Sequence, residues 1–327
     1  MDFRITILSD IHYAGAAEQA LGNDYELRGL RNPLIRGLLR FHRRYIWLRD
    51  PLNQSHLLDK FIAQAPESDL TIANGDYSCD CASLGLSNDA TFQSVADCLA
   101  RLRGKFGSKL RLVVGDHELG KVSFFGGRGG MRLESWRRLT KVGIIPFWRF
   151  DIGDYVLLGI VSSLVALPIF EADTLTQERK EWEQLRLAHL EEIRQAFASL
   201  KPQQRVLLFS HDPTALPFLS QDEIIGPKIQ QIEQTIIGHL HSNLVLWKGR
   251  LLAGIPQIHF LGHSAKRFSA ALREAHEWRH FKVRLCPALA GIELLKDGGY
   301  LTARLDTERR QPAAFEFHPL QREKKYG

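Results

Sequence analysis

One pattern constrains this chain more than any other: a short, strongly apolar run that stops at Asp, His or Gly, repeated five times. FRITILSDIH starts at residue 3, DLTIANGD at 69, LRLVVGDHE at 110, RVLLFSHD at 205 and QTIIGHLH at 234. Each run is Leu-rich or β-branched over about four to eight residues, which suits strands buried on both faces. Between several of them lie stretches with apolar residues at helical spacing, over 56–65 and 88–103. A longer helix is predicted from Thr174, with Gln177 completing a capping box, to about Leu200. Strands alternating with helices predict an α/β fold around a central sheet.

After His241 the chain turns β-rich. A hairpin is predicted around Lys248–Gly249 and a helix over 265–278, with further strands in VRLCPALAGIELL and YLTARLD. These strands read as a second sheet packed on the first. No linker or repeat divides the chain. It reads as one domain over 1–315 with a basic amphipathic insertion at about 28–50, followed by a C-terminal tail over 316–327 whose last residues, QREKKYG, are expected to fray.

Composition narrows the partners more than the fold. The chain carries 43 Lys+Arg against 37 Asp+Glu, a net charge of +6, which favours anionic ligands such as phosphates, nucleic acid or acidic lipid. Four cysteines, two of them the C-x-C pair Cys79 and Cys81, make neither a disulfide framework nor a zinc knuckle. Reduced thiols are the expectation. The apolar stretch after Arg4 is too short before Asp10 for a signal peptide. The run from Tyr155 to Phe170 is broken by Ser162, Ser163 and Pro168 and is too short to span a bilayer. A soluble, cytoplasmic protein is expected, with membrane contact at most peripheral.

The polar residues at the strand ends form a series: Asp10 and His12; Asp76; Asp116, His117 and Glu118; His211; His239 and His241. In an open α/β sheet ligands bind beyond the carboxyl ends of the strands, so five strand ends would bring these groups around one spot. Carboxylates and imidazoles without thiolate suit Mn, Fe, Zn or Mg. The donors are too many for one tetrahedral ion. Two ions about 3.5–4 Å apart, sharing a bridging carboxylate, would use them all.

The series resembles that of the calcineurin-like metallophosphoesterases, whose motifs D-x-H, G-D, G-N-H-[D/E], H and G-H-x-H occur in this order. The resemblance runs from Ile5 to His241. It implies an αββα sandwich with two facing mixed sheets. It also implies that Asp10, His12 and His241 bind one metal, that His211, His239 and Asp116 bind the other, and that Asp76 bridges them. A hydroxide held between the ions would attack phosphorus in line. His117 would serve the leaving oxygen, and Glu118 would hold its imidazole. The chain departs from the family at Asp116, where Asn is usual. A third carboxylate lowers the net charge of the centre, which predicts tighter metal binding and weaker Lewis acidity.

Substrate choice rests on weaker signals. Asn32–Pro33 starts a helix whose broad face carries Leu34, Ile35, Leu38, Leu39, Phe41, Tyr45, Ile46 and Leu48. Arg36, Arg40, Arg43, Arg44 and Trp47 fall on the other face. Such a segment over about 33–48 can be a lid with its apolar face on the core and Arg36, Arg40 and Arg43 towards substrate phosphate. It can instead lie on an anionic membrane or, less readily, on nucleic acid. Arg128, in the glycine-rich FFGGRGGMR, is a further candidate phosphate contact. His259 and His263 read as core or rim residues. The expected activity is hydrolysis of a phosphomonoester, phosphodiester or pyrophosphate bond in a lipid- or nucleotide-linked substrate. The alternatives are a metal-dependent nuclease and a non-catalytic binding module.

Overall fold

A computed structural model describes residues 2–23, 27, 32–79, 85–120, 129–242 and 275–320. Among them ten strands form two five-stranded mixed sheets. The first has the order β10-β9-β1-β2-β3, from β1 (Asp2–Leu8), β2 (Leu70–Ala73), β3 (Leu110–Leu112), β9 (Gly299–Asp306) and β10 (Ala314–Pro319). The second runs β4-β5-β6-β7-β8, from β4 (Trp148–Ile152), β5 (Tyr155–Ile160), β6 (Arg205–Ser210), β7 (Ile232–Ile237) and β8 (Val283–Leu285). Strands β1, β2 and β3 are parallel, as are β5, β6, β7 and β8.

The apolar runs are continuous because both faces of the strands are covered. Ile5, Ile7 and Ile72 of the first sheet meet Leu157, Leu207 and Phe209 of the second. On the outer side of the first sheet, Leu8, Ala73 and Leu112 join Leu57, Leu58, Phe61, Val95, Leu99 and Leu102. Those six belong to the helices α2 (His56–Gln64) and α3 (Asp89–Phe106). Outside the second sheet, Val156, Leu158, Val206 and Leu208 pack with Leu190, Ile193 and Phe197 of α4 (Arg179–Ala198). The result is a four-layer α/β sandwich, helix–sheet–sheet–helix.

Several predicted boundaries shift. Helix α3 starts where expected, because the Asn88 side chain accepts from the backbone N–H of Ala90 and Thr91. Helix α4 starts later than predicted, after a 3-10 turn over Thr176–Glu178. The Thr174 hydroxyl donates back to the Glu171 carbonyl at 2.7 Å, so the expected capping box does not form. The C-terminal strands do not build a sheet of their own. Strand β8 extends the second sheet, whereas β9 pairs antiparallel with β1, Ala303 opposite Ile5. That pairing puts Leu301, Ala303 and Leu305 into the inter-sheet core. Strand β10 pairs with β9 through Pro319, so ordered sheet runs into the stretch predicted as tail from 316, with Phe315 packed on the inter-sheet core. The hairpin near 248, His259, His263, Arg128, most of the helix over 265–278 and the last residues, 321–327, lie outside the described residues. Ala275–Arg279 form a 3-10 turn.

The insertion is helical from Pro33 to His42 (α1) and continues as a π turn over Arg43–Trp47. The Asn32 side chain caps it, accepting from Leu34 N at 2.9 Å. Its rotation differs from the expected lid. Leu34, Ile35, Leu38, Phe41 and Tyr45 face outward and are exposed, while Arg36, Leu39, Arg43, Ile46 and Trp47 are half-buried. The cause lies at the anchored end of the segment. Glu293 N donates to Trp47 O at 2.7 Å, Leu294 N to Ile46 O at 3.2 Å, and Arg43 Nη1 to Asn23 O at 3.1 Å. Among the described residues no helix is long and apolar enough to cross a membrane.

Candidate metal centre

All five strand ends that carry the Asp and His series point to one side of the sandwich, because β1, β2 and β3 and likewise β6 and β7 are parallel. Asp10 and His12 follow β1, and Asp76 follows β2. Asp116, His117 and Glu118 lie on a single helical turn after β3 (Asp116–Leu119), His211 follows β6, and His239 and His241 follow β7. The chain is forced through sharp turns there. Asp10, His12, Asp76, His239 and His241 have φ of 48°, 49°, 56°, 59° and 57°, the left-handed region that non-glycine residues rarely occupy. Strain concentrated in this way is retained where surrounding structure over-determines the backbone, as at functional sites.

Two glycines permit the close approach. A Cβ on Gly115 would lie 2.2 Å from Asp76 Oδ1, and one on Gly238 would lie 2.0 Å from Ser9 Oγ and 2.5 Å from Asp10 Oδ2. Either would drive a carboxylate out of place.

The donor atoms gather into overlapping groups. Asp10, His12 and His241 form one; Asp76, Asp116, His211 and His239 form another; within each, the atoms lie within 4.8 Å of one another. Asp76 also groups with His12 and His117. His12 Nε2 is 3.1 Å from His241 Nε2, and His241 Nε2 is 3.3 Å from Asp10 Oδ1. His211 Nε2 is 3.0 Å from Asp76 Oδ2 and 3.5 Å from Asp116 Oδ1, and His239 Nδ1 is 3.1 Å from Asp116 Oδ1. The rings are oriented from behind: His211 Nδ1 contacts the Asn74 carbonyl at 2.6 Å and His12 Nδ1 the Ser78 carbonyl at 3.3 Å. Each leaves its Nε2 facing the cluster.

A metal fits these residues. Asp76 Oδ2 and His211 Nε2 are buried and lie 3.0 Å apart, yet neither makes a well-aligned hydrogen bond to the other or to any third group. Buried polar atoms left in this way are costly unless an ion or water completes them. Carboxylate oxygens and imidazole nitrogens suit hard and borderline divalent ions.

Electrostatics carry the same signature. Burial lifts the Asp10 carboxyl to about 6, with His211 pulling it down and Asp76 adding to the rise. Burial and Asp116 press the Asp76 carboxyl upward, but His117 and His211 hold it below the usual carboxylate range. Burial opposes charge on His211, and Asp76 and Asp10 outweigh it, keeping the imidazole well above its ordinary value.

Glu118 does not hold His117 as expected. Its carboxylate accepts from the backbone N–H of Gly115 at 2.8 Å, Asp76 at 3.1 Å and Tyr77 at 2.8 Å. It therefore makes the glutamate half of a capping box on its own turn, Gly115 having no side chain to return the bond, and staples that turn to the loop carrying Asp76. Burial lifts it to about 8, with Asp76 adding to the shift. His117 instead faces Asp76 Oδ2 at 3.7 Å, its ring 5.0 Å from that of His12.

Three contacts were not anticipated. Ser9 Oγ donates to Asp10 Oδ2 at 2.6 Å, and Asp212 Oδ2 lies 3.7 Å from His239 Nε2. The Trp47 ring lies 4.7 Å from that of His241. Ser9 and Asp212 are chain neighbours of the motif residues, which is a usable signal. Trp47 is the one aromatic on a face of arginines. Of the predicted phosphate contacts, Arg43 ties α1 to Asn23, Arg40 is exposed and Arg36 is half-buried on the same segment.

Residues 3–243 match the family described as calcineurin-like phosphoesterase. No curated protein matches the sequence. Among solved structures the chain is similar to purple acid phosphatase PPD1 from yellow lupin (Lupinus luteus) seeds, at 16% identity and a TM-score of 0.37. That similarity covers 74% of this chain but only 38% of the lupin chain. It is also similar to a conserved protein of Streptococcus pneumoniae TIGR4 described as a predicted phosphoesterase, at 9% identity and a TM-score of 0.29, over 97% of this chain and 99% of that one. The family match extends over more than half of the 327 residues and takes in every strand end that feeds the buried Asp and His cluster, so the chain belongs to the calcineurin-like phosphoesterase family.

Proposed function

We propose that the protein is a dinuclear metal-dependent phosphoesterase, hydrolysing a phosphomonoester, phosphodiester or pyrophosphate bond. Two adjacent donor groups, linked where Asp76 of one groups with His12 of the other, carry this reading. Asp10, His12 and His241 would hold one ion, and Asp116, His211 and His239 the other. Asp76, the member that groups with residues of both sets, would lie between them. When bound, two divalent ions (Mn, Fe, Zn or Mg) supply a water of lowered pKa and neutralise charge on the phosphate oxygens.

The chain's own residues do the rest. Glu118 fixes the Asp76 and Gly115 backbones and so sets the distance between β2 and β3 at the site. His117, which lies beside Asp76 and His12, would give a proton to the leaving oxygen. Arg36, Arg40 and Arg128 are the candidate contacts to the substrate's phosphate or its linked group, for which a lipid or nucleotide is the reading favoured by the basic insertion.

The test is a panel of monoesters, linear and cyclic diesters and nucleotide-diphosphate lipids, run with Mn, Fe, Zn and Mg. Turnover of at least one class, lost on chelation and in a His117→Ala variant that still binds metal, is expected. No hydrolysis of any class by metal-loaded protein would sink the reading.

A further inference from the structure

We propose that α1 and the neighbouring turn at Leu294–Leu295 form a docking surface for an anionic phospholipid bilayer. The outward face of the insertion carries Leu34, Ile35, Leu38, Phe41 and Tyr45 at 82%, 39%, 68%, 57% and 53% exposure. A distant part of the sequence extends the same patch. Leu294 and Leu295 are 60% and 42% exposed, and the bonds from Glu293 N to Trp47 O and Leu294 N to Ile46 O lock them beside the end of the helix.

Among the described residues, seven of the eleven exposed large apolar side chains belong to these two segments. Single exposed apolar residues are ordinary, but a contiguous group marks an interaction surface.

Charge selects the occupant. The described stretch 32–50 carries Arg36, Arg40, Arg43, Arg44 and Arg49 and a single acid, Asp50; on the adjoining turn Lys296 adds a cation, while the acids Glu293 and Asp297 are half-buried. Arg40, Arg44, Arg49 and Lys296 are exposed. An apolar helical face flanked by cations, with no acidic residue on the helix itself, matches the headgroup and acyl boundary of an anionic leaflet. On the dinuclear reading of the site, the same surface also delivers substrate. Trp47, at the end of the segment, lies against His241, so docking brings the metal cleft to the level of headgroup phosphates.

The experiment is flotation of full-length, metal-loaded protein with vesicles of phosphatidylglycerol mixed into phosphatidylcholine, against phosphatidylcholine alone. At least about tenfold more binding to the anionic vesicles is expected, falling steeply as salt is raised to about 0.5 M. The double variant Leu38→Asp, Phe41→Asp should lose vesicle binding while keeping its metal content. Leu187→Asp, at an exposed apolar position on α4, should bind like the parent. Equal binding to neutral vesicles, or binding that survives the double variant, would overturn the proposal. So would a concentration-dependent dimer in light scattering that the double variant dissociates, because a second copy would then be the occupant. Vesicle binding is read without turnover, so its failure leaves the phosphoesterase reading untouched, and loss of turnover leaves docking untouched.

Discussion

Replacing Asp116 by Asn removes one charge from the centre at nearly constant shape, at the position where this chain departs from its family. In chelator-treated protein that charge has two opposing neighbours. Asp116 Oδ1 lies 3.5 Å from Nε2 of His211, and its ligand atom lies within 4.8 Å of that of Asp76. At an effective dielectric of about 20, attraction to a protonated His211 is worth about 5 kcal/mol and repulsion from Asp76 at least about 3.5 kcal/mol. Losing both therefore costs at most about 1 kcal/mol. His239 Nδ1, 3.1 Å from Oδ1, keeps an acceptor in the amide oxygen. With divalent ions present the balance changes, because a neutral carbonyl replaces a charged ligand. Affinity for one ion should fall at least about tenfold, equivalent to about 1.4 kcal/mol. The assay is thermal unfolding with chelator and across a Mn titration. The two proteins should unfold within a few degrees of each other without metal and separate with it. Equal destabilisation in both conditions would make Asp116 purely structural, and unchanged Mn affinity would remove it from the ligand set. Per bound metal, Asp116→Asn should turn over a generic phosphodiester at least as fast as the parent, and a tenfold fall would refute the charge reasoning.

Other outcomes follow from the same geometry. Glu118→Gln can keep the oxygen that serves Asp76 and Gly115 but leaves Tyr77 N facing an amide nitrogen, so a loss of about 1–3 kcal/mol is expected in urea unfolding. Trp47→Ala removes the ring from His241 and should speed loss of metal to a competing chelator by on the order of tenfold, while Trp47→Phe restores slow release. Metal-free protein should lose stability as pH rises from about 4 to about 8. The Asp10 and Glu118 carboxyls, raised to about 6 and about 8, and the raised His211 all contribute stability that is present below their unfolded values. That stability is lost as pH passes their folded values. Asp76, lowered, acts in the opposite sense and only below about pH 4. Melting temperatures of chelated protein across that range check the slope, and a rising curve would contradict it.

The metal cluster was legible because its members share one signal, an ionisable residue where an apolar strand stops, and parallel strands carry all such ends to one side. The resemblance assigns Glu118 to the His117 imidazole, and the capping-box signature, which begins with Ser or Thr, does not flag the backbone role it takes. Here the N-cap is Gly115, and the glutamate reaches from its own turn to the backbone of Asp76 and Tyr77. Helical periodicity identified the apolar face of 33–48 but not which way it points. That is set by hydrogen bonds from Glu293 and Leu294, far along the chain, and local pattern carries no trace of them. The C-terminal strands show the same limit: alternation marks Leu301, Ala303 and Leu305 as one face of a strand, while their place beside β1 depends on an open sheet edge formed by the first residues. A helical wheel groups Trp47 with arginines, because its neighbours there are cations and the distant His241 leaves no mark on local spacing.

The central claim is two divalent ions sharing Asp76. Elemental analysis of Mn-reconstituted, desalted protein, run in parallel for the parent and Asp76→Ala, tests it most directly. The account predicts two ions per chain in the parent and fewer than one in the variant, because Asp76 groups with donors of both sets. Fewer than one ion per chain in the parent, or two retained without Asp76, would contradict it.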